Sequence, residues 1–342
     1  MRSALIGLGA IGVPIAHKLH MKYGRDFFLL ADEERKRQIL EREIRINGEL
    51  FQPQVFSESD VEVECPDLLI VCVKNYSLEA TLKDIIPFTD TNTIILPLQN
   101  GIYAHGFFER QFPKNTVLKG YIQGPNTEKT EDGFVYHNPG KLHIGSCVDK
   151  EQAKNVTAYL ADAGVDAVYE NDIKRMVWKK WMLNVAGNSV TALTGADYSL
   201  FKYYPNLQAV CRGAMQEFLR IAEAEKVDLT ERDIEDVIEY YVSYTGSKKT
   251  SMLTDVLNGR KTENDYLAGT ALDMGKRHDI PLPIISTLYY LMEMKENVYM
   301  GRKDCGIMKN LFAEGVEYSE ALSAQMKDIA SKKEASGGRV SD

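Results

Sequence analysis

The chain has 342 residues, 44% hydrophobic and 26% charged, with 41 basic and 49 acidic side chains and a net charge of −8. That length exceeds one ordinary small core and predicts two domains in a globular protein. The acidic balance argues against a nucleic-acid or anionic-membrane partner. No apolar run is long enough to span a bilayer, and no basic n-region of a signal peptide precedes the first strand pattern. Five scattered cysteines without a C-x-x-C pair suit a reducing cytoplasm, and six histidines without ligand spacing predict no metal.

In chain order, Ser3 to Gly7 is a short apolar strand ending in glycine. A helical spacing follows through Ile11, Ile15, Ala16 and Leu19, with Pro14 tolerated in the first turn and Gly24 closing the helix. Asp26 to Ala31 reads as a second buried strand, and Asn47-Gly48 as a hairpin turn. Asp67 to Val73 and Thr93 to Leu96 are continuous apolar strands of the kind covered on both faces, separated by a helix from Ser77 to Ile86. Val117 to Gln123, Phe134 to His137, Lys141 to Ile144 and Asp166 to Tyr169 read as further strands, with a helix from Glu151 to Ala163. This alternation predicts one open, doubly wound α/β sheet. After about Asn171 long helical patterns take over: Ile173 to Leu193, Asn206 to Lys226, Glu231 to Tyr244, Met252 to Leu257, Glu263 to His278 and Pro283 to Met300. The reading is a Rossmann-type dinucleotide-binding domain over 1–171, an all-helical domain over 172–330 and a polar, disordered tail over 331–342.

GLGAIG, from Gly7 through Leu8, Gly9, Ala10 and Ile11 to Gly12, fits G-x-G-x-x-G between a strand and a helix. In that frame Gly7 permits the tight turn, Gly9 lets a pyrophosphate approach the backbone, and Gly12 lets the helix pack on the strand. Asp32 follows Gly12 by twenty residues, the separation expected for a carboxylate that accepts from the adenosine ribose. A carboxylate there repels a 2′-phosphate and leans the choice toward NAD(H). The bases in the run Asp32-Glu33-Glu34-Arg35-Lys36-Arg37 keep NADP(H) open.

In RMVWKKWMLNVAGNSVTALTG, Lys180, Asn184 and Asn188 recur every four residues and share one face of a largely buried helix. A buried lysine with two carboxamides in register is costly unless it has a task. Thr262 resembles an N-cap for a helix starting at Glu263, which would make that acid an ordinary first-turn residue. Ser251, in TSMLTD, lies just upstream.

The set GLGAIG, QNG after a central strand, W-K-K-W-x-x-N-x-x-x-N, T-S-M-L-x-D and K-T-E-x-D-Y resembles the ketopantoate reductase (2-dehydropantoate 2-reductase) family over residues 1 to about 300. The resemblance implies a cleft between the two domains in which ketopantoate is reduced to pantoate, a step toward pantothenate and coenzyme A. It implies Lys180 as the catalytic lysine and Glu263 as the substrate-binding acid. Asn184, Asn188 and Ser251 would hold the substrate, Asn100 would stand near nicotinamide and substrate, and Lys74 near the cofactor. Asp32 stands where NADPH-using members typically carry arginine. Two alternatives accompany this reading: a related dehydrogenase for another 2-oxo or 3-hydroxy acid, and a dinucleotide sensor without turnover. A homodimer through apolar faces of the helical domain is a further expectation.

Overall fold

The computed structural model describes residues 1–60, 62–244 and 247–301. The expected tail over 331–342 and the last part of the expected helical domain lie outside the described residues.

The N-terminal part runs β1 (Ser3–Ile6), α1 (Gly12–Tyr23), β2 (Phe27–Leu30), α2 (Glu33–Leu40), β3 (Ile44–Ile46), β4 (Glu49–Phe51), β5 (Gln54–Phe56), β6 (Leu68–Val71) and α3 (Leu78–Ile85). It continues with β7 (Ile94–Pro97), α4 (Tyr103–Gln111), β8 (Lys119–Gln123), β9 (Asn126–Lys129), β10 (Gly133–Asn138), β11 (Lys141–Gly145), α5 (Lys150–Asp162) and β12 (Ala167–Tyr169). Five strands form a parallel sheet in the order β5-β2-β1-β6-β7. Successive side chains point to opposite faces, so each strand feeds two cores. Leu5, Leu29, Ile70 and Leu96 pack on one side with Val13, Leu19, Val156 and Leu160 of α1 and α5. Ala4, Ile6, Phe28, Leu69 and Val71 pack on the other with Leu78, Ile85, Phe107 and Phe108 of α3 and α4. The strands read as unbroken apolar runs because both faces are covered.

The single expected sheet is in fact three. A three-stranded sheet, β12-β11-β8, and a four-stranded one, β4-β3-β10-β9, stand beside the parallel sheet. β9 has too few apolar residues to read as a strand, since NTEK is largely exposed. It exists because β10 pairs with it antiparallel. The Asn47-Gly48 hairpin is present, with both residues at positive φ as such a turn requires.

The C-terminal region is helical: α6 (Ile173–Leu183), α7 (Ser189–Thr194), α8 (Pro205–Ala224), α9 (Glu231–Val242), α10 (Ser251–Leu257), α11 (Thr270–Arg277) and α12 (Pro283–Tyr299). Trp178 and Trp181 of α6 meet Phe218 of α8 edge to face at the centre of its core. Trp181 also donates its indole N–H to the Leu267 carbonyl at 3.2 Å. Among the described residues no helix is long and apolar enough to cross a membrane.

Candidate active site

The β1–α1 turn meets the steric demands of a dinucleotide cradle. Gly7 has φ +103°, and a Cβ there would lie 2.6 Å from the Val73 nitrogen. A Cβ on Gly12 would strike the Gly7 carbonyl oxygen at 2.0 Å and Cys72 Cβ at 3.2 Å, so glycine is what lets α1 sit on the strands. A Cβ on Gly9 would meet nothing within 4 Å, which leaves room for a ligand to touch the backbone. The first turn of α1 has no capping side chain and no acid, so its N–H groups and positive dipole end suit a phosphate. Thr127 on β9 donates to the Ala10 carbonyl at 2.9 Å and fastens the hairpin beside this turn. Leu8 and Ile11 pack against the core below.

Asp32 lies exposed at the end of β2, and it caps α2: its Oδ1 accepts the Arg35 N–H at 2.8 Å. One carboxylate oxygen therefore has a structural task. Of the neighbouring charges, Lys36 is tied to Asp60 and Glu33 to Ser57.

Glu263 is buried in a cleft between the sheet's C-terminal edge and the helical region. It accepts from the Asn75 N–H at 3.1 Å and the Asn75 amide at 2.9 Å, from Lys74 Nζ at 3.2 Å and from the Asn100 amide at 3.4 Å. Lys74 also donates to Asp255 at 3.0 Å, and Asp255 accepts from Arg260 Nε at 3.0 Å. Burial pulls Lys74 down, but Glu263 and Asp255 outweigh it and hold the ammonium above its ordinary value. Asn100 extends the relay, accepting on Oδ1 from the Asn184 amide at 3.3 Å. Gly101, next in the loop, has φ +84°, and a Cβ there would press on Leu267 at 3.1 Å and Trp181 at 3.4 Å.

Thr262 donates its N–H and hydroxyl to Glu296, and the same hydroxyl accepts the Asn264 N–H at 3.4 Å. The Glu263 carbonyl accepts the Leu267 N–H at 3.0 Å, so Glu263 stands at the start of the helix, which passes into a π turn over Asp265–Gly269. Its carboxylate is nevertheless more than an ordinary first-turn acid, since it is held by Lys74, Asn75 and Asn100 on the opposite wall of the cleft.

The lysine-asparagine helix also departs from expectation. Lys180 lies on α6, but Asn184–Asn188 is a π turn before α7, so the three residues do not follow one α-helical face. A π turn shifts the hydrogen bonds to i→i+5 and widens the helix, a geometry frequent at functional sites. Tyr241 supports it: its hydroxyl donates to the Leu183 carbonyl at 2.8 Å. A Cβ on Gly187 would lie 2.1 Å from that hydroxyl oxygen, so this position must be glycine. Asn184 and Asn188 are both buried.

The adjacent lysines differ in their surroundings. Lys179 pairs with Asp236 at 2.7 Å and Asp233 at 3.0 Å. Lys180 is partly buried, and among the described residues its ammonium forms no ion pair or hydrogen bond. Burial first, and the Lys248 ammonium second, push it down to about 8. Glu263 does not act on Lys180; its carboxylate is engaged by Lys74, Asn75 and Asn100. Ser251 is exposed at the start of α10 and bonds with none of these groups; Thr250 before it is the buried cap. Asn75, Asp255 and Tyr241 are the residues that sequence reasoning misses. Asn75 beside Lys74 at the end of a central strand, and the acid in S-M-L-T-D, were the available signals.

A turn with the steric form of a dinucleotide cradle, beside a cleft whose Lys180 has no counter-ion among the described residues, suits a nicotinamide-dependent oxidoreductase. The family model described as ketopantoate reductase PanE/ApbA matches residues 3–148, and that of its C-terminal part matches 172–296. A 2-dehydropantoate 2-reductase of Halobacterium salinarum is 30% identical over 248 residues, 72% of this chain and 80% of the relative. A solved D-mandelate dehydrogenase with NADH and anilino(oxo)acetate superposes with TM-score 0.78 at 24% identity, over 87% of this chain and 99% of that one. A dimeric ketopantoate reductase from Staphylococcus aureus gives TM-score 0.73 at 21% identity, over 87% and 100%. The chain belongs to the ketopantoate reductase family and is an NAD(P)-dependent reductase of that kind, which sets aside the sensor reading.

Proposed function

We propose that the chain reduces 2-dehydropantoate to pantoate, with residues 1–171 holding the dinucleotide and the helical residues after 172 closing over the substrate. The observation that carries this reading is an ammonium without a counter-ion among the described residues, one helical turn from an asparagine relay that ends on a buried carboxylate. The reduced nicotinamide, when bound, supplies the hydride. Gly7 to Gly12 and the first turn of α1 would hold its pyrophosphate, and Asp32 the adenosine ribose. Lys74 and Asn100 would line the nicotinamide end.

Lys180 polarises the ketone, and its Nζ delivers a proton to the oxygen as negative charge develops there. Glu263, oriented by Lys74 and Asn75, accepts the substrate's hydroxyl. A site built to bond that hydroxyl discriminates against a substrate lacking it. Asn184, Asn188 and Ser251 offer neutral donors around the rest of the molecule. Asp32 favours NADH over NADPH, in keeping with the NADH bound by the D-mandelate dehydrogenase of like fold. That likeness also favours a second reading, the same chemistry on another 2-oxo acid. A homodimer like that of the S. aureus relative and a place in the reducing cytoplasm complete the proposal. Lys180→Met tests it: turnover falls by at least about 100-fold while dinucleotide binding persists. Near-normal turnover would sink the assignment.

A further inference from the structure

The segment after β6 runs through Lys74 into a 3-10 turn over Asn75–Ser77 and then into α3. Asn75 is buried, at 1% exposure. Its backbone N–H donates to Glu263 Oε1 at 3.1 Å. Its side-chain amide donates twice, to the same Oε1 at 2.9 Å and to the Asn100 carbonyl at 3.1 Å. Both partners are pure acceptors, so the amide nitrogen, and not the oxygen, belongs on this side. That orientation leaves Asn75 Oδ1 buried and, among the described residues, without a hydrogen-bond partner. An apolar side chain would avoid that cost, so asparagine here is justified by what its two donor bonds do.

Those bonds divide the carboxylate. A carboxylate oxygen has room for about two good donors. Oε1 takes both of its donors from Asn75. Oε2 takes Lys74 Nζ at 3.2 Å and the Asn100 amide at 3.4 Å. The Asn100 contact is the longest of the four and lies beyond ordinary N–H···O distances. A hydroxyl approaching this acid therefore finds Oε1 filled and Oε2 loosely held, and it displaces the Asn100 amide. Orientation decides whether Oε2 is there to meet it. The terminal torsion of a glutamate is broad and roughly two-fold, and Lys74 pulls on Oε2 alone. The two Asn75 bonds to Oε1 are what stop the carboxylate from turning.

We propose that Asn75 is the positioning residue behind a preference for hydroxylated 2-oxo acids: it fills Oε1 of Glu263 and so presents Oε2 to the substrate's hydroxyl. This rests on the reading of Glu263 as the acceptor of that hydroxyl. Through the Asn100 carbonyl the same amide fixes the neighbouring loop. One side chain thus sets both the acid and the asparagine that the hydroxyl displaces. A residue that merely latched the two walls of the cleft together would serve hydroxylated and unhydroxylated acids alike.

The test uses the full chain with 2-dehydropantoate and with the same acid lacking its hydroxyl, and reads the ratio of their kcat/KM values. Asn75→Ala keeps the backbone N–H and removes both amide bonds. It lowers the ratio by about tenfold, the loss of one hydrogen bond to a charged group, chiefly through KM for 2-dehydropantoate. Asn75→Ser, a smaller change that keeps one donor, shifts the ratio the same way by less and serves should Asn75→Ala fail to fold, which denaturation midpoints report. Glu263→Gln lowers the ratio by itself, and Asn75→Ala added to it lowers the ratio no further, because Asn75 acts through the carboxylate. An unchanged ratio, an equal loss on both acids, or a further fall in the double variant overturns the role of Asn75 alone. A wild type without a preference for the hydroxylated acid overturns the reading of Glu263 beneath it, and this inference with it.

Discussion

Replacing Lys180 with methionine removes activity and also stabilises the protein. The ammonium's value falls from 10.5 to about 8, which corresponds to about 3 kcal/mol of penalty on the charged form in the folded state. Below about pH 8 folded and unfolded chains both hold the proton, and the folded state carries the whole cost. From about 8 to 10.5 the folded chain releases its proton first and the cost declines; above that it is gone. Methionine has a similar length and no charge, so at pH 7 the variant gains about 1 to 3 kcal/mol. Urea unfolding of wild type and Lys180→Met at neutral pH and near pH 10 measures the gap. A variant less stable than wild type at neutral pH, or a gap that does not shrink at high pH, refutes the reasoning. The same ionisation governs wild-type turnover. Because the ammonium donates the proton, kcat/KM is level in the acid range and falls about tenfold per pH unit above about 8.

Two further outcomes follow from local geometry. Asp32→Asn keeps the oxygen that caps α2, so stability changes by no more than about 0.5 kcal/mol; the lost charge raises the NADPH-to-NADH ratio of kcat/KM by about tenfold or more, and an unchanged ratio means Asp32 is a cap only. Gly187→Ala drives a Cβ to 2.1 Å from the Tyr241 oxygen, costing about 2 to 4 kcal/mol and lowering turnover through the π turn; a wild-type midpoint would show that the turn does not depend on glycine.

What could be read from the sequence was local. The roles of Gly7, Gly9 and Gly12 are steric and lie within six residues, so the motif and its strand-helix frame revealed them. The four central strands were legible because burial on both faces leaves them apolar almost throughout, Ser3 being the exception. The relay around Glu263 was not, since Asn75 lies 188 residues away and only the fold brings them together. The π turn was hidden for a related reason. Asn184 and Asn188 are spaced as an α-helix would space them, and what widens the helix is a hydroxyl from Tyr241, 58 residues beyond Leu183. Gly187, a glycine inside a buried helical run, was the one local sign. Asp32 shows the converse limit: spacing alone suited it to a ribose, and the structure adds a cap that the same spacing allows.

The central claim is that this cleft reduces a 2-oxo acid, with 2-dehydropantoate foremost. The direct measurement follows reduced-nicotinamide absorbance for NADH and NADPH, each against 2-dehydropantoate and against 2-oxo acids lacking its hydroxyl. The account predicts consumption, with kcat/KM highest for 2-dehydropantoate and NADH preferred. Absence of turnover with every pair contradicts the reductase assignment, and a higher kcat/KM for an acid without the hydroxyl contradicts the role given to Glu263.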